Sequence, residues 1–237
     1  MVKYSLIMPI YNVSQELVEL TKAAIDSIKG CDEFILIDNA SPLEYFYPEA
    51  TTYIRNKKNK GYPASVNQAV KKSKGDYLVI ANNDIRVSPN WLTVSKEIFS
   101  EDEKIGSVHF RMINYDEPFN LGQDTWIQGK EKWCSSSFFV IRRGAFIGYD
   151  ESYGLGGYDD WDFWRRVREK GWKTAYTNRA SYQHKHSSTQ LALDQAERFE
   201  RDQRSREIYK KKFGEYPEEH FARTYPDQVN IPWLPFP

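Results

Sequence analysis

The stretch DYLVIANND at residues 76–84 decides the fold class, because an unbroken apolar run ends there in three polar residues. Such a run is typical of a strand that is buried on both faces, as in a parallel sheet. The same arrangement occurs in KYSLIMPIYN at residues 3–12 and EFILIDN at residues 33–39, and residues 51–54 form a shorter apolar run. The sequence therefore predicts buried parallel strands that end in polar side chains.

Helical patterns separate these runs. Ser14 is placed to cap a helix whose apolar residues recur at helical spacing up to Ile28, with Gly30 as its stop. Pro63 is placed to open a second helix that reaches residue 72. Strands that alternate with helices pair in parallel, with helices on both faces of the sheet. Ligands bind beyond the carboxyl ends of such strands. The polar side chains expected there are Asn12, Asp38, Asn39 and residues 82–84.

The second half of the chain is less regular. Its predicted elements are helices at residues 89–100, 159–170 and 189–213, and strands at 105–110, 134–142 and 173–177. Residues 111–132 show only the pattern of a polar loop, whose length indicates a functional segment or elements that the pattern does not reveal. Five of the eleven prolines fall within residues 216–237, which predicts a C-terminal arm packed on the surface.

The composition indicates a globular protein. The 33 basic residues balance the 33 acidic ones, so the charge gives no support for nucleic-acid binding. No apolar stretch approaches the roughly 20 residues that span a bilayer, and the N-terminus lacks the pattern of a signal-peptide cleavage site. Cys31 and Cys134 are too few for a disulfide framework or a cysteine metal site. We therefore expect a cytoplasmic protein without a transmembrane segment.

Short motifs follow one another in a defined order from residue 5 to residue 188. They are Pro9-Ile10-Tyr11-Asn12, Asp38-Asn39-Ala40-Ser41, Asn59-Lys60-Gly61 with Asn67, Asn82-Asn83-Asp84, Arg142-Arg143, Gly148-Tyr149-Asp150-Glu151, Asp159-Asp160-Trp161-Asp162 and His184. Each motif alone is weak. In this order and spacing the chain resembles the family 2 glycosyltransferases.

The resemblance implies the GT-A fold, an α/β architecture in which helices flank a Rossmann-like, mostly parallel sheet. Residues 1–213 would form this domain, with a nucleotide-sugar-binding half at 1–110 and an acceptor-binding half at 111–213. The C-terminal helix at residues 189–213 would end this domain, and a proline-rich arm at residues 214–237 would complete the prediction. The implied reaction transfers a sugar, with inversion, from a UDP- or dTDP-linked donor to an acceptor hydroxyl. The acceptor, whether a glycan, a lipid-linked group or another molecule, is not identified by the sequence.

The resemblance also implies a set of substrate-binding residues. Asp38 would contact the uracil or ribose of the donor, although an Asp at a strand end also commonly starts a turn. Gly61 would let the backbone approach the nucleotide closely, and Asn67 is either a ligand or a partner of the neighbouring backbone. The complete set is Pro9, Tyr11, Asn12, Asp38, Asn39, Asn59, Gly61, Asn67, Asn82, Asn83, Asp159 and Trp161.

A divalent metal is the implied cofactor. Asn82-Asn83-Asp84 stands where the family has an Asp-x-Asp motif, which presents oxygen ligands to Mg²⁺ or Mn²⁺ at the donor diphosphate. Asp84 is the expected direct ligand, whereas Asn82 makes the site less negative than a full Asp-x-Asp. His184 is the expected nitrogen ligand, with His186 as its competitor, and an imidazole favours Mn²⁺ over Mg²⁺.

The acidic cluster at residues 159–162 supplies the implied catalytic base. Inverting transfer needs one carboxylate to take the proton of the acceptor hydroxyl, and Asp160 occupies that position. Asp159 and Asp162 are expected to support the helix start or bind substrate, because acids stabilise a helix N-terminus. Trp161 is a candidate for stacking on the acceptor, with a core role as the alternative. One of Arg142 and Arg143 is expected at the diphosphate or at a nearby acid.

Two other functions compete with this interpretation. A protein that kept the fold but lost activity would act as a carbohydrate-binding scaffold, and the joint presence of Asp84, Asp160 and His184 argues against it. A nucleotidyltransferase shares the nucleotide-binding sheet and the metal, but its usual Gly-rich phosphate loop near the first strand is absent from the sequence. Detection of a free nucleoside diphosphate rather than pyrophosphate as product would distinguish the two reactions.

Overall fold

A single mixed sheet forms the centre of the molecule. The structure is a computed structural model that describes residues 2–127, 136–185 and 195–224, and nine strands of these ranges join one sheet. The strands are β1 (Tyr4–Ile10), β2 (Glu33–Asp38), β3 (Thr52–Arg55), β4 (Tyr77–Ala81), β5 (Ile85–Val87), β6 (Ile105–Asn114), β7 (Thr125–Ile127), β8 (Phe138–Arg142) and β9 (Lys173–His184). Their order across the sheet is β3-β2-β1-β4-β8-β6-β9-β5, and β7 also pairs with β9.

Helices cover both faces of this sheet. They are α1 (Gln15–Ser27), α2 (Tyr62–Val70), α3 (Trp91–Glu101), α4 (Asp159–Glu169), α5 (Gln195–Phe213) and α6 (Pro217–Thr224). Two short 3-10 helices lie at Arg143–Ala145 and Glu151–Tyr153. The α/β class and the covered sheet that the sequence predicts are both confirmed.

The first half of the chain follows the sequence prediction closely. Strands β3, β2, β1 and β4 all pair in parallel. Helix α1 begins after Ser14, whose Oγ accepts a hydrogen bond from the backbone N–H of Leu17 at 3.3 Å. Helix α2 begins at Tyr62 with Pro63 in its first turn and ends at Val70, two residues before the predicted end.

The second half differs from a mostly parallel sheet. Strand β8 runs antiparallel to both β4 and β6, and β9 runs parallel to β6 but antiparallel to β5 and β7. An apolar run such as FFVIR at residues 138–142 has the same pattern in either direction. The sequence pattern therefore identified a strand there without its orientation.

Two strands of this half are longer than predicted, and the predicted loop holds structure. Strand β6 continues to Asn114, and β7 lies within the segment predicted as a loop. Strand β9 continues past Thr177 to His184, with a register shift opposite the step from Phe110 to Arg111. The polar pair Asn178-Arg179 interrupts the apolar pattern at this irregularity, which is why the pattern ended the strand too early.

Helix α3 begins later than its sequence signal. The sequence predicts a helix from residue 89, but the helix starts at Trp91 with Asn90 at the cap position. The Ser88 hydroxyl donates to Asn90 Oδ1 at 2.9 Å, and Asn90 Nδ2 donates to the Arg179 carbonyl at 2.9 Å. Through these hydrogen bonds, Ser88 and Asn90 connect the start of α3 to β9.

The hydrophobic core has one layer on each face of the sheet. The layer under α1 and α3 contains Leu6, Met8, Ala24, Ile98 and Phe138, among others. The opposite layer, under α2 and α4, contains Ile7, Val66, Ile80, Phe163 and Val167, among others. Neighbouring residues of β1 thus enter opposite layers, as the alternation of side chains along a strand requires.

The C-terminal helices form a third, smaller cluster. Trp161 of α4 packs there with Tyr209 of α5 and Phe221 of α6, and the last two side chains are fully buried. Residues 217–224, which the sequence assigned to a surface arm, thus form a helix that contributes to a hydrophobic cluster. Within the described ranges, no helix combines the length and the apolar character that a membrane span needs.

Candidate active site

A chain of hydrogen bonds connects the carboxyl ends of the parallel strands. Asp38 Oδ1 accepts from the backbone N–H of Ser41 at 2.7 Å, and Ser41 Oγ accepts from the backbone N–H of Asn12 at 2.8 Å. Asn12 Oδ1 in turn accepts from Asn83 Nδ2 at 3.1 Å. Asp38 and the Asn82-Asn83-Asp84 segment therefore lie at the same edge of the sheet. This clustering is what the alternation of strands and helices predicted.

The Asp38 carboxylate is buried and fully engaged by the protein. Its side chain is 1% exposed, and besides the Ser41 N–H it accepts from the Tyr53 hydroxyl at 2.7 Å and pairs with Arg55. The Ser41 contact is the turn that the sequence left open as an alternative. A nucleotide that contacts Asp38 must share these oxygens with Tyr53 and Arg55.

Asn39 and Asn59 shape the loop at residues 56–61. Asn39 Oδ1 accepts from the Lys60 N–H at 3.0 Å and from Asn56 Nδ2 at 3.1 Å, and its Nδ2 donates to the Gly61 carbonyl at 3.2 Å. Asn59 Oδ1 accepts from the Gly61 N–H at 2.9 Å. Both side chains thus hold the loop in place at the edge of the site.

Gly61 permits a close backbone contact within the protein. Its φ is +84°, and a Cβ at this position would lie 1.8 Å from the carbonyl oxygen of Gly154 and 2.9 Å from the Cα of Leu155. The sequence attributed this glycine to the approach of a nucleotide. In the structure, the group that approaches it is the segment that precedes α4.

Asn67 connects α2 to the segment before α4. Its Nδ2 donates to the Tyr149 carbonyl and to Glu151 Oε1, both at 2.9 Å, and its Oδ1 accepts from the Tyr149 N–H at 2.8 Å. These bonds match the backbone role that the sequence left open. Pro9, Tyr11 and Asn82 were also predicted to bind the nucleotide-sugar donor. Pro9 is buried within β1, and Tyr11 and Asn82 are half-buried at the carboxyl edge of the sheet.

Asp84 and His184 face each other at this edge. Antiparallel pairing of β5 with β9 sets Ile85 opposite His184 and brings Asp84 Oδ1 to 3.2 Å from His184 Nε2. The side chains are 7% and 10% exposed. Although it is buried, Asp84 Oδ1 accepts no hydrogen bond from the described residues, so it approaches the imidazole nitrogen without hydrogen-bond geometry.

This pair fits the ligand set that a divalent metal needs. A carboxylate oxygen and an imidazole nitrogen that approach closely without a hydrogen bond are suited to share one cation, and Mn²⁺ accepts both ligand types. The described ranges contain no group of three or more His, Cys, Asp and Glu side chains that could hold a metal. His186, the competing ligand, lies outside the described residues.

Asp159 and Asp160 form a close acidic pair at the start of α4. Burial, followed by the charge of Asp159, raises the pKa of the Asp160 carboxyl well above its ordinary value. Burial also raises the pKa of Asp159, against the lowering effects of backbone N–H groups and of Arg201. Asp160 Oδ1 accepts from the Trp161 N–H at 2.9 Å. Two adjacent like charges, one buried and one half-buried, resist simultaneous ionisation, so the pair holds a proton at a pH where isolated carboxyls have lost it.

Two consecutive serines connect the acidic pair to the Asp84–His184 pair. Ser136 lies near enough to Asp160 to affect the pKa of that carboxyl, and its Oγ accepts from Trp164 Nε1 at 2.9 Å. Ser137 Oγ lies 3.5 Å from His184 Nδ1, and its carbonyl accepts from the Asn82 N–H at 2.8 Å. The proposed base and the proposed metal ligands therefore border the same site. No sequence signal identified either serine.

The other residues of the acidic cluster have structural partners. Trp161 is 7% exposed and packs against Phe221 with ring centroids 5.1 Å apart, which supports the core role left open by the sequence. Asp162 is fully buried and pairs with Arg166 and with Lys212. Both side chains thus contact groups of the protein itself.

Arg142 and Arg143 do not lie where a diphosphate contact was predicted, although Arg143 lies near an acid, Glu33. Strand β8 is antiparallel to β4, and Arg142 lies opposite Tyr77, at the amino end of β4. Arg142 donates to the Tyr77 hydroxyl, and Arg143 donates to the Gly75 carbonyl at 2.6 Å. Both guanidinium groups therefore stabilise the edge of the sheet opposite the candidate site.

The family assignment follows from a match over most of the chain. The family model described as Glycosyl transferase family 2 matches residues 5–163. The chain belongs to glycosyl transferase family 2. The match includes the Asp38, Asp84 and Asp160 positions, and it ends within α4, so β9 with His184 and the two C-terminal helices lie beyond it.

Solved structures with the same fold include other glycosyltransferases. S. aureus TarS 1–349 superposes with a TM-score of 0.63 at 13% identity, over 99% of this chain and 76% of that one, and a structure of TarS 1–349 with UDP gives 0.62. GalNAc-T7 with UDP, GalNAc and Mn²⁺ gives a TM-score of 0.62 at 15% identity, over 78% of this chain and 44% of that one. At these identities the likeness establishes the GT-A fold of this family 2 member. A search of curated protein sequences found no match.

Proposed function

We propose that this family 2 glycosyltransferase transfers a sugar from a UDP- or dTDP-linked donor to an acceptor hydroxyl, with inversion. The observation that carries the proposal is the contact of Asp84 Oδ1 with His184 Nε2 at 3.2 Å, next to the serines that reach Asp160. The proposed metal ligands, Asp84 and His184, and the proposed base, Asp160, would then line the same active site. Two structures of the same fold, TarS with UDP and GalNAc-T7 with UDP and Mn²⁺, support the donor class.

Asp84 and His184 would hold the metal, with Mn²⁺ favoured over Mg²⁺ by the imidazole. The bound cation would neutralise the negative charge of the donor diphosphate. Asn82 adds no charge to this site, so the protein contributes a single carboxylate, Asp84, from the Asp-x-Asp position. We expect modest metal affinity in the absence of a donor, because the donor phosphates would complete the coordination.

Asp160 would act as the base. The acceptor oxygen forms a bond to the anomeric carbon of the sugar while the bond from that carbon to the diphosphate oxygen breaks. The proton of the acceptor hydroxyl moves to an Asp160 carboxylate oxygen. A base is most effective when its pKa lies near the working pH, and burial beside Asp159 moves the Asp160 pKa in that direction.

The donor would occupy the carboxyl edge of β1, β2 and β4. Asp38 with its partners Tyr53 and Arg55 would contact the nucleoside, and the loop at residues 56–61 would lie along the donor. Pro9, Tyr11 and Asn12 would form the wall at the end of β1. Residues beyond position 110 would supply the acceptor contacts.

A panel of nucleotide sugars tests the proposal. UDP- and dTDP-linked hexoses and N-acetylhexosamines are added with Mn²⁺ or with EDTA, and both the melting temperature and the released nucleotide are measured. A ligand of the native state raises the apparent stability, so we expect a metal-dependent shift and release of free UDP or dTDP. Release of a sugar 1-phosphate instead of UDP or dTDP would indicate a nucleotidyltransferase, which transfers the nucleoside monophosphate. Binding without turnover on any donor would indicate a scaffold.

A further inference from the structure

Lys212, near the end of α5, joins two carboxylates on opposite ends of one segment. Its Nζ lies 2.7 Å from Asp150 Oδ2 and 2.6 Å from Asp162 Oδ2. Asp162 is fully buried, whereas the Asp150 and Lys212 side chains are about one-third exposed at 29% and 30%. Despite partial burial, the hydrogen bonds from Lys212 and Ser152 lower the pKa of Asp150 to about 2.

The segment between these two carboxylates, residues 150–162, carries the acidic pair. It begins with Asp150, which caps the short helix Glu151–Tyr153, continues through Gly154, Gly156 and Gly157, and enters α4 at Asp159. We call it the pre-α4 segment. A run with three glycines has much backbone freedom in isolation, so other elements must fix the position of Asp160.

Helix α5 contacts this segment at further points. Arg204 Nη2 donates to the Tyr153 carbonyl at 3.1 Å, and Ser205 Oγ donates to the Gly156 carbonyl at 3.2 Å. On the other side, the segment touches the donor half through Gly61 and through the bond from Asn67 to Glu151. The pre-α4 segment is thus held between the donor-binding half and α5.

We propose that Lys212 is a positioning residue that fixes Asp160 by holding both ends of the pre-α4 segment. Asp162 lies two residues beyond Asp160 in the first turn of α4, so an ion pair at Asp162 restrains the helix start that orients Asp160. Removal of one partner from a buried ion pair leaves a poorly compensated charge. Arg166 also pairs with Asp162, so Lys212 is distinguished by its second contact, at Asp150.

The catalytic part of this inference rests on the proposed function, because it assumes that Asp160 is the base. A structural readout and a kinetic readout are therefore measured together. Hydrogen exchange of the backbone amides reports on the pre-α4 segment without any substrate. UDP with Mn²⁺ reports on the donor site, and turnover uses the nucleotide sugar of the panel that the unmodified protein consumes fastest.

The test compares Lys212→Met with Lys212→Arg and with Lys211→Met, an exposed neighbour on the same helix. In Lys212→Met we expect exchange in residues 150–162 to accelerate by about 10-fold or more, because the fully buried Asp162 loses one of its two cationic partners. We expect kcat to fall by about 10- to 100-fold, since small misplacement of a catalytic group is that costly. The affinity for UDP with Mn²⁺ and the KM for the donor stay unchanged. Lys212→Arg restores both properties, and Lys211→Met behaves as the unmodified protein.

Unchanged exchange in the pre-α4 segment of Lys212→Met would overturn the proposal, whatever the kinetics. Accelerated exchange throughout the chain would also overturn it, because Lys212 would then serve general stability. If Lys212→Met does not fold, Asp150→Asn removes only the charge of the second contact, and local acceleration in that variant is the expected result. Absence of turnover in the unmodified protein would count against the proposed function, while the exchange data would still decide whether Lys212 fixes the segment.

Discussion

Asp84 Oδ1 lies 3.2 Å from His184 Nε2, although the two residues come from different halves of the chain. The contact exists because β5 and β9 pair antiparallel, with Ile85 opposite His184. A buried carboxylate oxygen that accepts no hydrogen bond from the described residues is costly unless a cation or donor occupies its environment. This unsatisfied oxygen beside the imidazole is what supports our proposal that the pair holds a cation.

Replacement of either residue should weaken metal and nucleotide binding together. In Asp84→Ala we expect the affinity for UDP with Mn²⁺, measured by calorimetry, to fall by at least about 10-fold, because even indirect partners of metal ligands are worth that much. Asp26→Ala, which removes an exposed carboxylate of α1, should have no effect. His184→Ala should lower activity more than His186→Ala, with partial rescue by added Mn²⁺. UDP affinity that is indifferent to both EDTA and Asp84→Ala would show that the metal assignment is wrong.

Asp160 should destabilise the fold as the pH rises. Its pKa is raised in the folded protein, so above the ordinary Asp pKa the folded state binds more protons than the unfolded state. Stability then falls with rising pH until the raised pKa is passed. Asp160→Asn removes this cost. We therefore expect its melting temperature in EDTA to exceed that of the unmodified protein by an amount that grows from pH 4 to pH 8. A difference that is constant or shrinks over this range would contradict the raised pKa.

Asp159 should set the pH dependence of the reaction. Its charge is the second cause of the raised Asp160 pKa, after burial. In Asp159→Asn we therefore expect the ascending limb of kcat/KM against pH to move to lower pH, because the base ionises more readily. Glu169→Gln, at the exposed end of the same helix, is the control and should leave the profile in place. A limb that moves to higher pH would exclude Asp160 as the group that titrates.

Gly61→Ala should be more destabilising than its backbone angle alone explains. Gly214 also has a positive φ, +79°, but nothing lies within 4 Å of a Cβ built there, whereas a Cβ on Gly61 meets the Gly154 carbonyl. Forcing atoms into a packed contact costs about 1–3 kcal/mol, and we expect Gly61→Ala to exceed Gly214→Ala by about that amount in urea denaturation. Equal effects of the two substitutions would mean that the pre-α4 segment does not pack on Gly61.

The sequence predicts the donor half well because local patterns determine it. The apolar runs at β1, β2 and β4, separated by capped helices, specify parallel pairing and therefore the edge where Asp38 and Asp84 meet. The same strand pattern could also have predicted Arg55 as the partner of Asp38. Arg55 ends β3, and parallel register places it beside Asp38, so a basic residue at the end of a neighbouring strand was the available signal.

The acceptor half depends on contacts between distant residues, which a local pattern does not encode. Because β8 runs antiparallel to β4, Arg142 and Arg143 lie at the edge of the sheet opposite the one where the diphosphate contact was predicted. The approach of Gly154 to Gly61 and the double contact of Lys212 join segments that are far apart in the chain. Ser136 and Ser137 carry no motif, and only the fold shows that they connect Asp160 to His184.

The most direct test of the account compares Asp160→Asn with the unmodified protein in two measurements on the same samples. The substitution keeps the size of the side chain but removes its basic oxygen, so the dissociation constant for UDP with Mn²⁺ should not change. Turnover of the best nucleotide sugar of the panel should fall by roughly 10²- to 10⁴-fold, the contribution of a general base. Near-normal turnover in Asp160→Asn, with donor affinity intact, would contradict the assignment of the base and with it the proposed mechanism.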